Sequence, residues 1–221
     1  MEFDSGVCGI IGPNGAGKTT MFNVLSGFAI PVAGHVELDG DPLLTVAAHR
    51  RARWGLRRTF QQEQVVRSLS VRDNVRVAAE HSRAAGVGAG SHGRGIEEAL
   101  DLVGLTDWDR PGSQLTQLER RLVELARCVV GRPRLVLLDE PAAGLDPNES
   151  AALLRLITAI PEQVGALVLL VDHDMDLVRA ACGTVVVLDF GKRIAAGPTL
   201  EVLRSPAVRS AYLGIETEAA T

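Results

Sequence analysis

The chain has 221 residues, 46% of them hydrophobic and 23% charged, with a formal net charge of −4. That length suits one generous domain, or a core domain with an insertion, and the composition is that of a packed globular protein. The acidic balance argues against a general electrostatic grip on nucleic acid, and the longest apolar runs are far too short to cross a bilayer. With the acidic, non-apolar start Met-Glu-Phe-Asp, the sequence reads as a soluble, intracellular chain without a signal peptide.

In chain order, "VCGII" (7–11) predicts a buried strand and residues 18–26 a helix. "GHVELDGDPL" (34–43) alternates around Asp39-Gly40, a hairpin turn signal. "HRRARWGLRR" (49–58) reads as a solvated basic helix face. Residues 62–131 hold no buried-strand run and predict a mainly helical insertion, with the glycine-rich tract 84–95 as a flexible surface loop. "RLVLLD" (134–139), "ALVLLV" (166–171) and "TVVVLD" (184–189) predict further buried strands, with helices at 148–160 and 174–182 between them. Strands without polar alternation, alternating with helices, imply an α/β fold around a parallel sheet covered on both faces. Cys8, Cys128 and Cys182 lack metal-ligand spacing and read as small buried hydrophobes, and Trp54 and Trp108 as packing residues.

The first strand runs into Gly12-Pro13-Asn14-Gly15-Ala16-Gly17-Lys18-Thr19-Thr20, which fits G-x-x-x-x-G-K-[ST]. Gly15 and Gly17 let the backbone turn its N–H groups inward, and the helix starting near Lys18 adds its positive dipole end. Lys18 can reach the β- and γ-phosphates of a nucleoside triphosphate, and the Thr19 hydroxyl can ligate Mg²⁺. Glycines occur by chance in strand-to-helix turns, but not commonly with Lys-Thr at the end.

The 134–139 strand ends in Asp139-Glu140, where ligands sit in open α/β sheets. Asp139 suits a carboxylate beside Mg²⁺, acting through its water shell, and Glu140 a general base for the attacking water. An acid pair can also be a simple cap or surface feature. In a chain with a phosphate loop, it completes a P-loop ATPase site.

With these motifs in place, the chain resembles the ATP-binding subunits of ABC transporters. "RRTFQQ" (57–62) is similar to the family's Q-loop, which makes Gln61 the glutamine that senses Mg²⁺ and the attacking water. "LTQLERRLVELAR" (115–127) occupies the place of the signature motif, and "AAGLD" (142–146) resembles the D-loop, with Asp146 as its aspartate. In "LLVDHDMDLV" (169–178), His173 corresponds to the switch histidine that contacts the γ-phosphate. "LSVRDNV" and the tail through "AYLG" (211–214) are similar to the LivG-type subunits of branched-chain amino acid importers. The resemblance implies ATP and Mg²⁺ as cofactors, and an α/β core of residues 1–61 and 132–221 with a helical subdomain at 62–131. It also implies a second ATPase subunit, two membrane permeases and, indirectly, a substrate-binding protein. The cargo would be a branched-chain amino acid or a related amide, and the location the inner face of the cell membrane. A catalytically impaired partner subunit is the competing reading.

Two places depart from the family pattern. Where the family has a serine and two glycines, this chain has Thr116, Gln117 and Leu118. Thr116 keeps a hydroxyl that the family would present to the partner's ATP, but Thr116 with Glu119 also forms a capping box for a helix striped by Leu118, Leu122, Leu125 and Val129. The family also begins with two strands and an aromatic that stacks on adenine. Here the phosphate-loop strand follows almost at once, so no aromatic carries over and Phe3 lies too near the loop. Either the frame starts late, or the subunit lacks this part.

Overall fold

The computed structural model describes residues 2–3, 6–80, 90–206 and 208. The elements run β1 (Val7–Ile11), α1 (Lys18–Ser26), β2 (Glu37–Leu38), β3 (Asp41–Pro42), α2 (Arg51–Trp54), β4 (Leu56–Arg58), α3 (Val71–Glu80) and α4 (Gly90–Leu102). They continue with α5 (Gln117–Val129), β5 (Leu135–Asp139), α6 (Pro147–Val164), β6 (Leu167–Val171), α7 (Met175–Ala181), β7 (Thr184–Asp189), β8 (Lys192–Pro198) and α8 (Thr199–Val202).

The apolar runs assemble a six-stranded sheet in the order β4-β5-β6-β1-β7-β8. It is parallel throughout except for β8, which returns antiparallel along β7. Because side chains alternate along a strand, one register splits the core in two. Ile10, Leu137, Leu169 and Val186 pack with Phe22 and Leu25 of α1 on one face. Ile11, Leu138, Leu170 and Val187 pack on the other with Leu125, Leu153, Ile157 and Val178 from α5, α6 and α7. Each such fully buried aliphatic side chain contributes about 1.5–3 kcal/mol, so both layers stabilise the strand ends that carry the site. The expected hairpin is β2–β3, turning on Asp39 and Gly40 with φ of 51° and 79°.

Three sequence expectations change. Residues 90–95 of the glycine tract belong to α4, whose Ile96, Ala99, Leu100 and Val103 are buried in the larger core; residues 84–89 lie outside the described residues. Tertiary packing outweighs the low helix propensity of glycine there. The basic run is a solvated face only at His49, Arg50 and Arg53, which are exposed. It forms α2 and then β4, and Arg51, Arg57 and Arg58 are buried. Of the stripe on α5, Leu125 and Val129 are buried, but Leu118 and Leu122 are half-buried, and Arg121 and Glu124 occupy the interior beside them. The edge strand β8 was not anticipated, because its residues are largely exposed. All three cysteines are buried thiols rather than disulfides.

Candidate nucleotide site

The phosphate loop joins β1 to α1 and is folded by its own lysine. Lys18 Nζ donates to the carbonyls of Gly12 (2.6 Å) and Pro13 (3.0 Å), while Ala16 N–H donates to Pro13 O (3.1 Å). Gly17 caps α1 at φ 102°, a left-handed conformation that favours glycine. Asn14, Gly15, Thr19 and Thr20 are exposed, and buried Ala16 accepts a hydrogen bond from Gly191 N–H (3.0 Å) in the β7–β8 turn. Burial lowers the Lys18 pKa, and Glu140 and Asp139 pull against that shift. At the far end of α1, Arg51 Nη1 donates to the carbonyls of Val24 (2.5 Å) and Leu25 (2.6 Å), matching a cation to the negative helix terminus.

Beside the loop, β5 delivers its two acids. Asp139 is 2% exposed; its Oδ2 accepts from Arg58 Nη2 at 3.0 Å and its N–H donates to Thr59 Oγ1 at 3.0 Å. Its Oδ1 is buried without a hydrogen-bond partner. Burial raises the Asp139 pKa, against the pull of Arg58. Glu140 sits in the left-handed region at φ 48°, its N–H bonded to Val171 O (2.8 Å). Strain of about 1–2 kcal/mol at a non-glycine residue is tolerated because the strand ends on both sides hold it.

His173 follows β6, and its Nδ1 lies 3.7 Å from Glu140 Oε1 and 3.8 Å from Asp172 Oδ1. Its turn is set by buried Asp172, whose Oδ1 accepts from the N–H groups of His173 (2.8 Å) and Asp174 (3.0 Å). Asp174 in turn caps α7. The structure therefore brings Lys18, Asp139, Glu140 and His173 together. Gln61 stands exposed in the bend after β4, next to Phe60, whose ring meets Phe28 edge-on at 5.8 Å.

Thr116 is bound into its own helix. Its Oγ1 accepts from Glu119 N–H, Glu119 Oε2 accepts from Thr116 N–H (2.8 Å), and Arg110 pairs with the other Glu119 oxygen. The capping box is thus complete. Gln117 Nε2 and Arg121 Nη2 both donate to Ala143 O, at 3.4 and 3.3 Å, joining α5 to the segment that Asp146 ends as N-cap of α6. Glu124 Oε1 accepts from Gln64 N–H (2.8 Å), tying α5 to the stretch after Gln61 as well.

Sequence reasoning passed over Arg58, Asn23 and Thr59. No local signal marked them, because Arg58 meets Asp139 only through the pairing of β4 with β5.

A buried parallel strand, a glycine turn, a lysine-headed helix and acids at neighbouring strand ends define a P-loop nucleotide-binding fold. Residues 4–143 match the ABC transporter family, and the chain belongs to it as an ATP-binding subunit of the ABC ATPase class. It is 38% identical to the high-affinity branched-chain amino acid transport ATP-binding protein BraF of Pseudomonas aeruginosa, over 94% of this chain and 87% of that protein. To LivG of Escherichia coli, a protein of the same description, it is 37% identical with the same coverage. Its fold matches the ADP conformation of MJ1267, an ATP-binding cassette of an ABC transporter, with a TM-score of 0.80 and 26% identity over 95% of this chain and 88% of that one.

Proposed function

We propose that this subunit hydrolyses ATP to drive import of branched-chain amino acids, docked on permease subunits at the inner face of the membrane. The observation that carries the catalytic reading is the convergence of Lys18, Asp139, Glu140 and His173 at the carboxyl ends of adjacent strands. The cargo reading rests on the likeness to BraF and LivG.

In this reading the loop of residues 12–20, through its backbone N–H groups other than at Pro13, and the Lys18 ammonium cradle the triphosphate tail, Glu140 accepts a proton from the attacking water, and Gln61 and His173 orient around it. Phosphoryl transfer asks chiefly for placed charge, which these groups supply. The residues fit a magnesium ion. Asp139 offers a buried oxygen without a partner, and Thr19 an exposed hydroxyl in the first turn of α1. When bound, Mg²⁺ neutralises phosphate charge; Thr19, Asp139 and Gln61 would hold it. In this reading α3, α4 and α5, within residues 62–131, make up the helical subdomain. Exposed Phe28, Ile30 and Val32 next to the Phe60 segment offer apolar area for a permease.

Purified subunit with its permeases, reconstituted in vesicles with binding protein, tests both levels. Lys18→Ala and Glu140→Gln should abolish ATP turnover, and unchanged turnover in both rejects the catalytic assignment. ATP-driven uptake of leucine tests the cargo, which is refuted if another solute alone is carried.

A second reading concerns the site that Thr116 would share with a partner ATPase. The Thr116 hydroxyl and the Glu119 N–H already serve each other, and a carboxylate stands where an anion would approach. This supports an asymmetric dimer in which the phosphate loop of this chain is active and the composite site facing its α5 is weak. Mixed dimers carrying one inactivated phosphate loop at a time separate the two sites.

A further inference from the structure

Arg58 ends β4 with its side chain 5% exposed. Consecutive strand residues face opposite sides of a sheet, and the two arginines here divide accordingly. Arg57 Nη2 reaches Ala78 O of α3 (3.1 Å), whereas Arg58 turns to the phosphate-loop side. There Nη1 donates to Asn23 Oδ1 (2.7 Å) and Ser26 Oγ (3.3 Å) of α1, and Nη2 donates to Asp139 Oδ2 (3.0 Å). The rings of Phe22 and Phe60 lie 5.5 and 5.0 Å from its guanidinium carbon. One planar fork thus joins α1, the end of β5 and the segment leading into Gln61.

We propose that Arg58 is a positioning residue for Mg²⁺-dependent nucleotide binding: it locks one Asp139 oxygen to the phosphate-loop helix and so fixes the other for the cation. The inference rests on the assignment of Asp139 as the magnesium-side carboxylate. A terminal carboxylate torsion is broad, and a hydrogen bond to a single oxygen selects one orientation. The Asp139 backbone is pinned independently by Thr59, so rotation of the carboxylate is the freedom left for Arg58 to remove. Asn23 stands one helical turn beyond Thr19 on α1, and the bracket therefore sets the carboxylate relative to the very helix that carries Lys18 and Thr19. Only a guanidinium spans both partners in this way; an ammonium is a point charge. A buried ion pair adds little net stability, which leaves orientation as the physical effect to measure.

Loss of the partner that orients a metal ligand weakens metal affinity by about 10–100-fold. The experiment measures the affinity of the fluorescent analogue MANT-ATP against free Mg²⁺, and again in EDTA. It uses the wild-type subunit, Arg58→Gln, Arg58→Lys and Asn23→Ala, with thermal midpoints recorded on the same samples. Arg58→Gln should raise the Mg²⁺ concentration for half-maximal tightening by about tenfold, with metal-free affinity unchanged. Arg58→Lys should fall between it and wild type, and Asn23→Ala should shift the same way by less.

An unshifted magnesium response in Arg58→Gln overturns the inference. So does an equal loss of affinity with and without metal, which marks a purely structural residue. Should Arg58→Gln not fold, Asn23→Ala decides by the same two criteria. Absence of any magnesium response in wild type would instead refute the Asp139 assignment on which the inference rests.

Discussion

Gly12 and Gly15 both lie in the phosphate loop at positive φ, yet alanine should behave differently at the two. At Gly12, a Cβ would stand 2.2 Å from Leu188 O and 2.9 Å from Ala16 Cβ. Leu188 belongs to β7, which is held between β1 and β8, so loop and strand would have to part by roughly 1 Å. Overpacking of this kind costs about 1–3 kcal/mol, on top of about 1–2 for a left-handed alanine. At Gly15 (φ 80°) a Cβ meets nothing within 4 Å, and only the conformational cost applies. Gly12→Ala should therefore be less stable than Gly15→Ala by about 1–3 kcal/mol. Urea denaturation of the purified, nucleotide-free proteins, with m-values compared, measures the difference. If the two variants unfold at the same midpoint, the close approach of loop to β7 does not constrain this position, and the argument is wrong.

Other outcomes follow from the buried polar groups. Arg51→Met removes a cation from the Val24, Leu25 and Val46 carbonyls and should cost about 2–3 kcal/mol in urea; an unchanged midpoint refutes the capping role. Burial pushes the Cys128 and Cys182 thiols up to about 12, so iodoacetamide at pH 8 should label neither until the protein unfolds, as read by mass spectrometry. Burial also raises the Glu124 carboxyl above its usual 4.5, against Gln64 N–H and Arg121. The folded state then holds that proton longer than the unfolded chain. Wild type should lose stability relative to Glu124→Gln as pH climbs from 4.5 to the raised value, with no further divergence above it. Parallel stability curves for the two proteins across that window would contradict this.

The central sheet was legible because strands buried on both faces read as unbroken apolar runs, and β1, β5, β6 and β7 fall within one residue of those runs. The helices after them were legible from their apolar spacing, and the hairpin from Asp39-Gly40. Local charge misled the reading of β4. Leu56-Arg57-Arg58 looks solvated in isolation, and only Asp139, 81 residues away, explains why an arginine is buried there. β8 left no trace because an exposed edge strand needs no apolar pattern. At the site, spacing alone pointed to the phosphate loop and the acid pair. It could not show that His173 would approach Glu140, since that depends on β6 lying next to β5. Spacing did give the Thr116–Glu119 capping box, but not the pairing of Arg110 with Glu119.

The ammonium of Lys18 already rests on two carbonyls, so in the proposed role a triphosphate would meet a cradle whose shape has been settled in advance. Ordering entropy is lost when the polypeptide folds rather than at each encounter. Under the proposed role of Lys18, capture would need only a swap of acceptors by one side chain, so loading and discharge could recur without the turn melting and rebuilding in between.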